Sequence, residues 1–146
     1  MAIQRLDNVG IVVDDMKAAV AFFEELGLEL EGEAQVEGQF MDDCMGLEDA
    51  SCDIAMMRTP DGHGRLELAK YRNPTAIDNA QPTRPHHTLG THRVMFAVED
   101  IDDVVDRLGA HGAELVGKIA RYEDSYRLCY VRGPAGIFVG LAEQLS

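Results

Sequence analysis

The sequence predicts an α+β protein built from two copies of one βαβββ module, and three observations lead to this prediction. First, the segment NVGIVVDDMKAAVAFFEELGLELEG from Asn8 returns without a gap as RVMFAVEDIDDVVDRLGAHGAELVG from Arg93. Second, each copy has the pattern of a strand followed by an amphipathic helix. Third, RTPDGHGRLELA from Arg58 resembles RGPAGIFVGLA from Arg132, so a Pro–Gly turn precedes the last strand of each copy.

The first strand and helix of each copy follow from hydrophobic periodicity. Val9, Ile11 and Val13 alternate with other residues, as in a strand with two different faces. After Asp15, apolar residues recur at the spacing of one helix face until Gly27, which suits the end of a helix. The second copy repeats this pattern. Further strands are expected around residues 28–37, 51–58 and 64–71, and again around residues 113–122, 125–132 and 136–142.

Composition limits the class of protein and of partner. The chain has 146 residues, 46% of them apolar, and a formal net charge of −13. An acidic surface repels nucleic acid and anionic membranes, so a small molecule is the expected partner. We see no signal peptide and no apolar run of the roughly 20 residues that a membrane span needs. The three cysteines fit neither a disulfide framework nor a metal motif, which favours a cytoplasmic protein.

A proline-rich segment separates the two copies. We predict a first module at residues 1–71, a linker at 72–91 and a second module at 92–146, which together form one compact domain. The linker, within YRNPTAIDNAQPTRPHHTLGT, has few apolar residues. Its adjacent His86 and His87 point opposite ways on an extended chain, so we expect solvated histidines rather than a shared metal site.

A family resemblance rests on three stretches, LDNVGIVVDDMKAAVAFFEELGLEL, RVMFAVEDID and RGPAGIFVGLAE. With the duplication, they resemble the vicinal oxygen chelate superfamily, the group of glyoxalase I, bleomycin-resistance proteins and extradiol dioxygenases. The resemblance covers nearly the whole chain. It implies tandem modules that form a curved mixed sheet with the helices outside, and it also implies a homodimer. Because this fold hosts many chemistries, it does not specify a reaction.

The resemblance implies where a metal would lie in an enzyme of this family, since each module gives one ligand from its first strand and one from its last. The matching positions are Asn8 and Glu67 in the first module, and Arg93 and Gly140 in the second. The family pattern has His or Gln and then Glu there, and only Glu67 keeps it. A guanidinium has no lone pair to offer a metal. We therefore expect no cofactor, with a divalent metal as the alternative.

His92 and Arg93 must face opposite sides of their strand. We expect Arg93 on the concave face with Met95 and Ala97, and His92 on the helix-packing face unless a β-bulge turns it inward. Arg93 then either forms a bridge with Glu67 across the cavity or holds an anionic ligand.

The stretch EDSYRLCYVRG supplies further candidates, and its alternation leaves open which residues line the concave face. Tyr130 is a candidate for donating a hydrogen bond to a ligand or stacking on it, and Arg127 for binding a carboxylate or phosphate. For both residues, a surface or packing role is the alternative.

Two classes of function remain open from the sequence. The first is a metal-free protein that binds a small ligand through Asn8, Arg93, Arg127 and Tyr130. The alternative is a glyoxalase-type lyase or isomerase, or a dioxygenase-like enzyme. Such an enzyme would depend on a metal or use Glu67 as a base while Arg93 stabilises an enolate.

Overall fold

Two sheets with the same topology form the framework of the protein. The computed structural model describes residues 2–78 and 84–145, and the chain divides into two compact units, Met1–Asp78 and Asn79–Ser146. The first unit contains β1 (Val9–Val12), α1 (Met16–Leu26), β2 (Glu29–Glu37), α2 (Gln39–Met45), β3 (Ser51–Arg58) and β4 (Arg65–Asn73). The second unit contains β5 (Arg93–Ala97), α3 (Ile101–Gly109), β6 (Glu114–Leu115), β7 (Ala120–Tyr122), β8 (Tyr126–Arg132) and β9 (Phe138–Gln144).

The strand order shows the duplication directly. It is β1-β4-β3-β2 in the first sheet and β5-β9-β8-β6 in the second, where β7 also pairs with β8. In each sheet the first strand runs parallel to the last, and the other pairs are antiparallel. The predicted α+β fold of two similar modules is therefore confirmed.

In the first unit, α1 has a defined beginning and end. The Asp15 carboxylate caps the helix by accepting from the Ala18 N–H at 2.9 Å. The helix ends at Gly27, whose φ of 120° is open to glycine but strained for other residues. The buried residues of α1 lie on one face, which contacts the sheet: Ala19, Phe22 and Phe23.

α2 is a helix that the sequence pattern did not predict. Its seven residues span two turns, too few to establish a helical period. Tertiary contacts stabilise it, because Met41 packs with buried Ala50 and Cys52. The Asp42 carboxylate also accepts from the Ala50 N–H at 2.8 Å. Partly buried apolar residues complete this cluster: Val36, Leu47, Ile54 and Tyr71.

In the second unit, α3 packs on β8 and β9. It buries Ile101, Val104 and Leu108. One prediction is wrong here, since the strand expected at residues 113–122 is two short strands, β6 and β7. Both pair with β8 at the edge of the sheet. The break includes Gly117, which is exposed and offers no side chain to pack.

The segment between the modules is divided between the two units. β4 continues to Asn73, which pairs with Ser51. Residues 84–91 belong to the second unit, and residues 79–83 lie outside the described residues. Over the part of the chain that the structure describes, no helix has the length and apolar composition that a bilayer span requires.

An ion pair ties α3 to β8. Arg127 donates from both terminal nitrogens to Asp102, at 2.7 and 3.0 Å. This two-pronged geometry is the favourable form of an arginine–carboxylate pair. Hydrogen bonding from Arg127 lowers the pKa of the Asp102 carboxyl below its usual value.

Asp102→Asn is expected to lower the melting temperature at neutral pH, because a neutral amide cannot form the ion pair. A carboxyl with a lowered pKa in the folded chain stabilises the fold above its unfolded pKa, about 3.9. That contribution is lost as the pH falls through the folded pKa. Circular dichroism melts from neutral to strongly acidic pH should therefore show the gap between wild type and variant closing in acid. Asp106→Asn, on the exposed side of α3, is the control, and a gap that persists in acid would contradict the assignment.

Candidate functional site

Each sheet has one face packed on a helix, and the second sheet has an open face that carries the candidate residues. In β5, exposed residues alternate with half-buried ones, and Arg93, Met95 and Ala97 are the exposed set, as predicted. The strand pairings extend this face across the sheet. Its other members are Phe138, Gly140 and Ala142 of β9, and Tyr126, Leu128, Tyr130 and Arg132 of β8.

The structure brings two of the predicted ligand-binding residues together. The guanidinium carbon of Arg93 lies 5.6 Å from the centre of the Tyr130 ring, which is within the range of a cation–π contact. Arg127 is not part of this group, because it faces α3 and pairs with Asp102. His92 lies one residue before β5 and is exposed, and β5 pairs with β9 in one continuous register that begins at Arg93.

Asn8 and Glu67 lie in the first unit. Glu67 is half-buried on β4, opposite Gly10 of β1 and Met56 of β3. Asn8 is exposed and directly precedes β1. Glu67 and Arg93 are in different units, so the bridge between them stays a prediction.

His86 lies among the candidate site residues, and sequence reasoning missed it. It was predicted to be a solvated linker histidine, and that prediction is wrong. The His86 ring stacks on Phe138, with centres 4.5 Å apart and planes 12° from parallel. It also meets the edge of Tyr130 at 4.4 Å. The sequence could not predict these contacts, because two adjacent histidines among prolines give no periodic signal. The neighbouring His87 is exposed, as expected.

The contact between His86 and Arg93 fixes the state of the imidazole. Arg93 Nη1 lies 3.1 Å from His86 Nε2. A guanidinium has donors only, so Nε2 must accept, and the single proton of the neutral ring is on Nδ1. Arg93 is thus satisfied by a neutral partner rather than by a carboxylate.

Two further arginines make this end of the face electropositive. The Arg132 guanidinium carbon lies 4.7 Å from the centre of the Phe138 ring, and Nη2 donates to the Arg84 carbonyl at 2.6 Å. Arg132 Nη1 and Arg84 Nε are buried and have no hydrogen-bond partner among the described residues. Within the described part of the second unit, none of the ion pairs involves Arg84, Arg93 or Arg132. Positive charge is concentrated here in a chain whose net charge is −13.

A cleft of about 1020 Å³ continues along the open face from Met95. Its apolar lining consists of Met95, Ala97, Val98, Leu128 and Ala142. Tyr126, Ser125 and Gln144 add polar groups, and Glu99, Asp100 and Glu143 lie at the end away from Arg93. The face therefore offers positive charge and aromatic rings at one end and apolar surface beside them, a combination that suits an amphipathic small molecule.

The two residues at the expected metal positions of the second unit do not fit a divalent metal. Arg93 offers no lone pair, and Gly140 offers no side chain. A Cβ added at Gly140 would lie 2.7 Å from Met95 Cε and 2.9 Å from Tyr130 Cε1, so neighbouring side chains fill the space of a ligand there. Among the described residues, no group of three or more His, Cys, Asp or Glu side chains is placed to hold a metal ion.

The family follows from comparison with known proteins. Residues 5–141 match the family model of the Glyoxalase/Bleomycin resistance protein/Dioxygenase superfamily. The chain belongs to this superfamily. The resemblance inferred from the duplicated motifs is therefore confirmed. A search of the curated proteins gave no match.

Solved structures from several bacteria share the fold. A glyoxalase family protein from Bacillus cereus is 53% identical, has a TM-score of 0.94 and is matched over 100% of this chain and 99% of its own. An antibiotic-binding protein from Streptomyces is 17% identical, with a TM-score of 0.58 and coverage of 99% and 98%. A fosfomycin resistance protein from Listeria monocytogenes, in complex with Mn(II) and sulfate, is 13% identical, with a TM-score of 0.64 and coverage of 97% and 91%. The last two likenesses show the fold alone.

Gly140→Ala is expected to destabilise the chain by about 1–3 kcal/mol, as overpacking commonly does. The added methyl group would press on Met95 Cε and the Tyr130 ring. Urea unfolding measures this cost. In a Met95→Ala background the cost should be smaller, because the closest atom is gone. Gly117→Ala is the control, since a Cβ there meets nothing within 4 Å. Equal costs at the two glycines would show that Gly140 is not crowded.

Proposed function

We propose that this protein binds a small organic anion on the open face of its second sheet, without a metal, and that Arg93 is the main charged contact. The observation that carries the proposal is the state of Arg93. Its guanidinium is exposed, contacts the Tyr130 ring and, within residues 2–78 and 84–145, has the His86 imidazole as its one hydrogen-bond partner. A carboxylate or phosphate would add a compensating negative charge and could accept from two guanidinium N–H groups at once.

The surroundings of Arg93 support an amphipathic ligand. The apolar cleft beside Met95 offers surface for the hydrocarbon part of such a molecule. The buried unpaired donors of Arg84 and Arg132 add positive potential at the same end of the face. Relatives of the same fold include an antibiotic-binding protein and a fosfomycin resistance protein, so small-molecule recognition has precedent on this framework. The homodimer and the cytoplasmic location stay predictions.

The chemistry of the donors favours binding without a metal. At the second unit's expected metal positions, one residue carries a fixed positive charge and the other has no side chain. An anion bound there meets Arg93 directly, with no intervening cation. The expected partner is therefore recognised by its negative charge, not by its ability to chelate a metal.

Arg93→Met is expected to abolish the rise in melting temperature that anionic ligands give to the wild-type chain. Methionine keeps much of the side-chain volume and removes the charge. A hydrogen bond to a charged group is commonly worth about 1.5–3 kcal/mol, so affinity should fall about ten- to a hundredfold. The measurement is a thermal-shift screen of organic carboxylates and phosphates in metal-free buffer, followed by calorimetry on the strongest binder.

Arg121→Met is the matched control, because Arg121 is an exposed arginine of the second unit that pairs with Asp124. It should keep the thermal shift of the wild type. If Arg93→Met and Arg121→Met bind the anion equally well, or if binding requires an added divalent metal, the proposed function is wrong.

A further inference from the structure

Residues 84–91, called the strap from here on, cross the Arg93 end of the open face. The strap is a short turn structure, in which the Thr88 N–H donates to the Pro85 carbonyl at 3.1 Å. Arg84 donates to the Leu89 carbonyl at 2.8 Å within the strap itself. The contacts that hold the strap to the sheet are made by His86 and by the Arg84 carbonyl, which accepts from Arg132.

His86 meets the sheet in the way that a bound ring would. Its flat ring lies nearly parallel to Phe138 and meets the edge of Tyr130, the two favourable arrangements for aromatic pairs. At the rim of the ring, Nε2 accepts from Arg93. The sheet therefore presents a stacking surface, an aromatic edge and a cationic donor to one planar group that carries an acceptor.

The chemistry of this contact is incomplete with histidine in place. A neutral imidazole gives the fixed charge of Arg93 a lone pair but no compensating charge. Arg132 Nη1, a buried donor of the same face, has no hydrogen-bond partner in the part of the chain that the structure describes. A carboxylate attached to a flat ring would keep the stacking and supply two charged acceptor oxygens. Such a group satisfies the site better than His86 does.

We infer that His86 occupies the binding place of a planar aromatic or heteroaromatic carboxylate, and that this ligand displaces the His86 ring when it binds. The inference rests on the proposed function, to which it adds the class of ligand and an internal competitor. The far end of the strap faces solvent, since Leu89 is 95% exposed. Thr91, where the strap ends, has a buried hydroxyl with no hydrogen-bond partner among the described residues.

A chain whose site is occupied by an internal competitor cannot bind the ligand. The apparent association constant is therefore the intrinsic constant multiplied by the fraction of chains in which the competitor has left the site. Removal of the ring should therefore strengthen binding, which is the opposite of what the loss of a direct ligand contact does. If the ring is in place in nine chains of ten, the gain is about tenfold. A rise in affinity on removal of the ring thus identifies a competitor, whereas a fall identifies a contact residue.

The experiment is a calorimetric titration of sodium benzoate into the full-length chain and four variants. His86→Ala should bind benzoate about tenfold more tightly than wild type. His86→Phe keeps a ring that can stack on Phe138 and should show no gain. His87→Ala, the exposed neighbour, should behave as wild type, and Arg93→Met should lose binding. Free imidazole should compete with benzoate for His86→Ala.

A second measurement uses the wild-type chain and does not depend on the folding of a variant. The ring protons of His86 lie against Phe138 and Tyr130, so ring currents shift their NMR signals. Saturating benzoate should move the His86 signals toward those of a solvated imidazole and leave those of His111, on the exposed end of α3, unchanged. His86 signals that do not move while benzoate binds would overturn the inference.

The outcomes separate the inference from the proposed function. If His86→Ala binds benzoate no better than wild type while Arg93→Met loses binding, His86 is not a competitor and the proposed function stands alone. If His86→Ala does not bind benzoate at all but another anion in the screen depends on Arg93, the ring-carboxylate class is wrong. If no anion depends on Arg93, both the inference and the proposed function fail.

Discussion

The parallel pairing of β5 with β9 is the constraint on which the rest of the site depends. Arg93 pairs with Phe138 and Met95 with Gly140, which puts the cation, the aromatic ring and the gap left by glycine on one face. A slip of one residue would turn this set toward α3 and bring Val94 and Phe96 outward. Val94 and Phe96 are half-buried on the other face of β5, and this burial favours the register that keeps Arg93 on the open side.

Glycine at position 140 leaves the second sheet without a side-chain donor at one of the two positions where the family resemblance implies a metal ligand. Without a side chain there, Met95 and Tyr130 approach across the strand and close the space. The charge has changed as well, because Arg93 places a fixed cation where the fold's enzymes hold a metal ion. Neither of these two positions offers a side-chain lone pair to a metal ion. The net charge of −13 makes this local concentration of arginines stand out from the remaining surface.

The two sheets have the same strand order but cover their open faces in different ways. In the first unit, α2 packs on the face that carries Ile54 and Tyr71, and Glu67 lies further along that face. In the second unit, the described residues between β6 and β8 form no helix. The strap instead covers part of the face through single side chains. The helix α2 contributes Met41 to an apolar cluster with Ala50 and Cys52. The strap contacts the sheet through the His86 ring and the Arg84 carbonyl.

Hydrophobic periodicity and the internal repeat were enough to predict the modules, because α1 and α3 bury one face at a regular spacing and β5 alternates between exposed and half-buried residues. The same alternation predicted that Arg93 shares a face with Met95. The sequence could not determine which face of β8 is open, since Tyr130 and Arg127 alternate with equal plausibility and only the packing of α3 on Cys129 and Val131 decides it. Nor could it locate His86 or α2. His86 stacks on Phe138, which lies 52 positions further along the chain, so the contact leaves no local sequence pattern. A seven-residue helix that distant contacts stabilise, such as α2, leaves none either. Such contacts exist only once the chain is folded.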